Sequence, residues 1–311
     1  MDNKFSIAIH GGAGTLVKGL MTPQLEEEYK NALDLALIAG YEVLNQGGTA
    51  VDAVEEAVRL LEDSPLFNAG KGSVFTAEGT HEMDAAIMNG KNRKAGAVSL
   101  ITGIKNPVSL ARDIMDNSYH VFLAGDGAME FAKQRGYILE TPDYFYDEVR
   151  YQQWQGIKDS DNFQLDHSAK KDGKFGTVGA VACDKEGNIA AATSTGGMTN
   201  KKWGRVGDSP MIGAGNYANN ATCAVSCTGS GEFFIRGVVA YDVSCLMEFK
   251  GWSLDEAASE VIHKRILEIG GDGGLIAVDA KGNISMPFNT EGMYRASKTS
   301  EGKKEIGIYK E

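Results

Sequence analysis

This chain is poor in the residues that hold metals and staple loops, with four cysteines and five histidines among 311 residues. The histidines are scattered without a metal triad, and the cysteines show no zinc spacing. Cys223 and Cys227 sit in one strand-like run, where four residues of extension separate them by roughly 13 Å, too far for a disulfide. With the solitary Cys183 and Cys245 they are expected as small buried hydrophobes. Positive charge is also short. Lys and Arg total 31 against 42 Asp and Glu, a net charge of −11, which argues against nucleic acid or an anionic membrane as partner. No apolar run approaches the about eighteen residues that a membrane helix needs. The opening Met1-Asp2-Asn3-Lys4-Phe5 has no apolar signal core, so a cytoplasmic address is expected. No Pro/Gly/Ser-rich linker or charge block divides the chain, so a single domain over residues 1–311 is expected.

What is present is ordinary globular material, 42% hydrophobic and 23% charged, a composition that does not suit a disordered chain. A strand is expected over residues 5–10, followed by a glycine turn and helices over 24–44 and from Val51 onward, the second capped by Thr49. Residues 83–88 and 95–101 flank Asn89-Gly90-Lys91-Asn92 as a hairpin. Short helices are expected at 107–115 and 128–135, while the polar, weakly periodic stretch 143–173 is expected to be mobile or disordered. Two strand–turn–strand units follow, at 178–195 and 275–288, each turning on Gly-Asn. Between them lie two long helices, 232–249 and 254–269. Hairpins with helices in runs indicate an α+β architecture: two antiparallel sheets face to face, covered by helices outside.

Thr177 follows Gly176 at the head of the run Val178-Gly179-Ala180-Val181. A threonine hydroxyl needs an adjacent base, and chain scission before Thr177 would supply its own α-amine, with a reference pKa of about 7.7–8. On spacing alone this competes with a plain strand-opening threonine. Thr195 and Thr228 face the same ambiguity, although Thr228-Gly229-Ser230-Gly231 before a helix can present backbone N–H groups as an oxyanion hole. Neither a phosphate-binding glycine loop nor a Gly-x-Ser-x-Gly elbow occurs, despite His10-Gly11-Gly12-Ala13-Gly14. Arg205 and Asp208 suit the two charged ends of an amino acid, or form an ordinary loop ion pair. The turn-rich segment 63–70 can cage a cation with carbonyls, or stand as a plain loop.

Seven segments in order resemble the plant-type (class 2) L-asparaginase and isoaspartyl peptidase family of N-terminal nucleophile hydrolases. They are the runs at 7–14, 65–70, 176–181, 191–197, 204–210, 227–232 and 288–293. The resemblance implies a four-layer αββα sandwich, cut by autoproteolysis between Gly176 and Thr177 into fragments 1–176 and 177–311. It implies Thr177 as nucleophile, Thr195 and Thr228 assisting, and Thr228 with Gly229 at the oxyanion hole. Arg205, Asp208 and Gly231 match the substrate anchors, and Asn68 matches a supporting residue. The carbonyls of Leu61, Glu62, Ser64, Phe67, Ala69 and Lys71 align with a structural sodium loop, Ser64 and Lys71 differing from some relatives. No cofactor for the chemistry is implied, and a dimer of αβ pairs is. The implied activity is hydrolysis of β-aspartyl dipeptides, with asparagine as the lesser substrate. A glycosylasparaginase-like amidase and an uncleaved amino-acid-binding relative are the alternatives.

Overall fold

Strand β1 (Ser6–Gly14) is buried along its whole length, which explains its run of small and apolar residues in place of an alternation. It belongs to a computed structural model that describes residues 4–159 and 176–310. Helices α1 (Pro23–Asn45) and α2 (Ala50–Asp63) follow, each begun by a threonine cap: Thr22 Oγ1 accepts from Leu25 N and Thr49 Oγ1 from Asp52 N. A 3₁₀ turn at Gly70–Gly72 leads to the hairpin β2 (Met83–Asn89) and β3 (Ala95–Ile101). Then come α3 (Pro107–Asn117), β4 (Phe122–Ala124), α4 (Gly125–Gln134), α5 (Pro142–Phe145) and α6 (Glu148–Gln155). After residue 176 the order is β5 (Val178–Cys183), β6 (Ile189–Thr195), β7 (Asn216–Ala218), β8 (Cys223–Gly229), α7 (Gly231–Gly237) and α8 (Val239–Lys250). The chain closes with α9 (Leu254–Glu260), a π-helical turn Val261–Arg265, α10 (Ile266–Glu268), β9 (Gly273–Asp279), β10 (Ile284–Ser285), β11 (Gly292–Thr299) and β12 (Lys304–Tyr309).

Among the described residues the strands form two sheets. One has eight strands in the order β12-β11-β1-β5-β6-β2-β3-β4, the other four in the order β10-β9-β8-β7. Three apolar layers hold them in the expected αββα order. Ile7, Ile9, Val178 and Ala180 face Leu33, Leu37, Val54 and Val58 of α1 and α2. Ala8, Val181 and Ala191 meet Ala224, Ile276 and Val278 between the sheets. Val225 and Leu275 pack on Val243 and Ile262 on the far side. The small residues between the sheets let the two backbones approach closely, while burial of each branched side chain contributes about 1.5–3 kcal/mol.

The structure departs from several of the expected boundaries. The first strand does not stop at His10 but continues through a bulge to Gly14, because β11 pairs with it as far as Gly14↔Gly292. The helix expected over 232–249 breaks at Val238, whose φ of +48° ends α7 and starts α8. The last expected strand is reduced to Ile284–Ser285, with Phe288 making only an isolated bridge to Gly274. One pairing, β3 with β4, is parallel in otherwise antiparallel sheets. Of the stretch 143–173, residues 160–173 lie outside the described residues, but the part before them forms α5 and α6. Its order comes from aromatic packing that periodicity does not register: Trp154 stacks on Phe75 at 5.6 Å between ring centroids, with Tyr151 at 5.8 Å.

Candidate active site

Strand pairing alone brings the three threonines of interest together. Val178 pairs with Ser194 across β5 and β6, which sets Thr177 beside Thr195, and Thr228 lies one residue before the end of the facing strand β8 of the other sheet. All three are buried. Thr177 Oγ1 lies 3.2 Å from Ser209 Oγ. Thr195 Oγ1 accepts a hydrogen bond from Gly197 N at 3.0 Å. Thr228 Oγ1 has no partner among the described residues, yet a Cβ placed on Gly176 would sit 3.0 Å from it. The other side of Gly176 is closed by Gly12, whose φ of +115° and missing side chain are both required: a Cβ there would lie 2.6 Å from Gly176 N. The Gly176–Thr177 linkage is thus gripped between the bulge of β1 and the free hydroxyl of Thr228.

Arg205 and Asp208 flank the start of α7. Asp208 is fully enclosed, and burial pushes its carboxyl up to about 7 against the pull of the Arg205 guanidinium. Its Oδ2 has no partner among the described residues, and its Oδ1 lies 2.9 Å from where a Gly231 side chain would begin. Arg205 does not pair with Asp208. Its fork is held by Glu232, from Nε to Oε1 at 2.8 Å and from Nη2 to Oε2 at 2.9 Å. Half-burial opposes ionisation of Glu232, but Arg205 outweighs it and holds the carboxyl below its usual range.

Asn68 clamps the turn that follows Thr195. Its Nδ2 donates to Gly197 O at 2.7 Å, its carbonyl accepts from Gly196 N at 3.1 Å, and its Oδ1 accepts from Val74 N at 3.1 Å. The loop carrying Asn68 folds its carbonyls inward. A side chain on Gly70 would collide with Glu62 O, and one on Gly72 with Phe67 O and with Pro65 O at 2.7 Å. Leu61 O, Phe67 O and Ala69 O each accept one backbone hydrogen bond, from Ser64 N, Ala69 N and Gly72 N, which leaves each a second lone pair. Neutral carbonyl oxygens with an unused lone pair are the donor type that a hard cation takes.

The family model described as asparaginase matches residues 3–308. An isoaspartyl peptidase of Salmonella typhimurium is 51% identical, covering 99% of this chain and 100% of its own. A putative isoaspartyl peptidase/L-asparaginase of Dictyostelium discoideum is 47% identical over 95% and 93%. A plant-type L-asparaginase of Pyrococcus horikoshii is 43% identical over 97% and 99%. The chain belongs to the plant-type asparaginase family. Its N-terminal nucleophile hydrolase fold accords with that membership.

Within this asparaginase-family site, sequence reasoning missed several groups. Ser209 lies inside the recognised run 204–210, but nothing in its spacing marks it as a partner of Thr177. Glu232 ends another recognised run, and only the fold brings it 27 residues back to Arg205. Behind Thr195, Asp84 is its direct neighbour on β2 and is buried with Lys201, whose Nζ donates to Glu82 O at 2.8 Å. Burial raises the Asp84 carboxyl, with Lys201 opposing. Among the described residues no helix is long and apolar enough to cross a membrane.

Proposed function

We propose that this protein is an isoaspartyl peptidase with L-asparaginase activity that cuts itself before Thr177. One observation carries the reading: Gly176 is pinned between Gly12 and the unpartnered Thr228 hydroxyl, with Thr177 Oγ1 already held by Ser209. Scission frees the Thr177 α-amine, which takes the hydroxyl proton as Oγ1 attacks the side-chain amide carbonyl of a β-aspartyl substrate. Thr228 and Gly229 stabilise the tetrahedral oxyanion, Thr195 orients the nucleophile, and ammonia or an amino acid leaves. Water then releases aspartate from the acyl-enzyme.

Asp208 and Gly231 receive the substrate ammonium, and Arg205 its α-carboxylate, which must share or displace Glu232. The carbonyls of Leu61, Glu62, Ser64, Phe67, Ala69 and Lys71 would hold a structural sodium ion, which would stiffen the loop that presents Asn68 to Gly197. The relatives named isoaspartyl peptidase and plant-type L-asparaginase support both substrates for one anchored aspartyl end. A dimer of cleaved pairs in the cytoplasm is the expected working form, with net charge −11 weighing against nucleic acid.

The test is the intact mass of purified wild type and of Thr177→Ala. Wild type should resolve into two chains, the second beginning at Thr177, and should release aspartate from a β-aspartyl dipeptide. Thr177→Ala should stay a single, inactive chain. Normal processing of that variant would refute the mechanism.

A further inference from the structure

The space between the sheets changes character along its length. Inward positions on β6 run Ile189, Ala191, Thr193, Thr195, and on β8 Ala224, Ser226, Thr228. On β5, read back toward its start, they run Cys183, Val181, Gly179, Thr177. The deeper residues belong to the apolar layer, and the outermost are the three threonines of the site. One pleat below those threonines, two strands carry hydroxyls and the third carries a glycine. A side chain on Gly179 would collide with Ser226 Oγ and lie 2.5 Å from His10 Nε2, so glycine leaves the room that the imidazole fills.

His10, on β1, is wholly buried and directly opposite Gly179. Its Nε2 lies 2.9 Å from Ser226 Oγ, which lies 2.7 Å from Thr193 Oγ1. Thr193 Oγ1 in turn accepts from Asn216 Nδ2 at 3.0 Å. Burial drives the His10 pKa down to about 3, against the effect of the Thr177 backbone, so the ring is neutral. Nδ1 makes no hydrogen bond among the described residues. Thr193 Oγ1 also donates to Gly215 O at 3.2 Å, so Asn216, Thr193 and Ser226 join the ring in one buried polar chain. Apolar residues would fill this volume without the cost of burying four polar side chains.

We propose that His10 is a positioning residue: through Ser226 and Thr193 it sets the spacing of Thr177, Thr195 and Thr228. The role rests on Thr177 being the nucleophile. His10 lies before the cut and its hydroxyl partners after it, so the network also ties the new chain end to the other fragment.

The experiment compares wild type, His10→Phe, His10→Gln and Ser226→Ala. It follows the time course of the Thr177-headed fragment by mass, kcat and KM on a β-aspartyl dipeptide, and thermal midpoint. His10→Phe should process slowly and lose about 100-fold in kcat, with KM little changed. His10→Gln, which returns a hydrogen-bonding group near Nε2, should recover about tenfold of that loss. Ser226→Ala should lower kcat with His10 still present, and it decides the matter by the same criteria if His10→Phe does not fold. Wild-type kcat in His10→Phe overturns the proposal, as do losses that track the thermal midpoint and ignore the Gln rescue. A wild type that neither cleaves nor hydrolyses overturns the functional reading and this role together; an active wild type beside an equally active His10→Phe overturns only the role.

Discussion

At the scale of single residues, Asp208 is the group whose state a substrate should change most. Its folded pKa of about 7 stands well above the ordinary carboxylate range. The sign follows directly: between about pH 4 and 7 the folded chain holds a proton that the unfolded chain has lost, so this group's contribution to stability falls as pH rises through that window. An arriving ammonium reverses the preference and restores the charge. Aspartate binding to the processed protein near pH 6 should therefore release a proton, and affinity should weaken up to about tenfold per unit below pH 7. Calorimetry in two buffers of different ionisation enthalpy measures that release. Asp208→Asn should abolish it and weaken binding by about 2 kcal/mol or more. Proton release that persists in Asp208→Asn would assign it to another group, the Thr177 amine foremost.

Elements show what was legible in the sequence and what was not. Helix α2 announced itself by apolar spacing and its capping Thr49, and the hairpin of β2 and β3 by its Asn-Gly turn. Strands β11 and β12 did not: Arg295, Ser297 and Lys298 interrupt any alternation; β11 is ordered by pairing with β1, almost 290 residues away, and β12 by pairing with β11. The three threonines were legible as motifs, whereas Ser209, Glu232 and His10 reach the site only through tertiary contact. Val238 shows the same limit within one element. Nothing in Gly237-Val238-Val239 forecasts a left-handed residue, yet a β-branched side chain stands there at φ +48°, half exposed. Its conformation costs about 1–2 kcal/mol that glycine does not incur. Val238→Gly should therefore raise the urea midpoint by up to about 1 kcal/mol of stability without altering activity. A lowered midpoint would mean that the valine's packing outweighs its strain.

At the scale of the whole molecule, the position of the proposed cut within the sheet has a mechanical consequence. Strands β1 to β4 precede residue 176 and β5 to β12 follow it, yet the eight-stranded sheet interleaves them. β1 lies between β11 and β5, and β2 is hydrogen-bonded to β6, so three strand seams join the two fragments. The apolar layer under α1 and α2 is shared as well, with Ile7, Leu33 and Val58 from one fragment against Val178, Ala296 and Ile308 from the other. Cutting one peptide bond at the rim of this assembly removes none of these contacts. It leaves Thr177 as a chain end near Thr228 and keeps the core intact. The processed protein should therefore migrate in native buffer as one species of about 33 kDa or a multiple of it. It should yield separate 1–176 and 177–311 chains only in denaturant, both lost from the native peak at the same denaturant concentration. Fragments that part in native buffer would mean that the cut lies elsewhere, or that the strands do not interleave in this order.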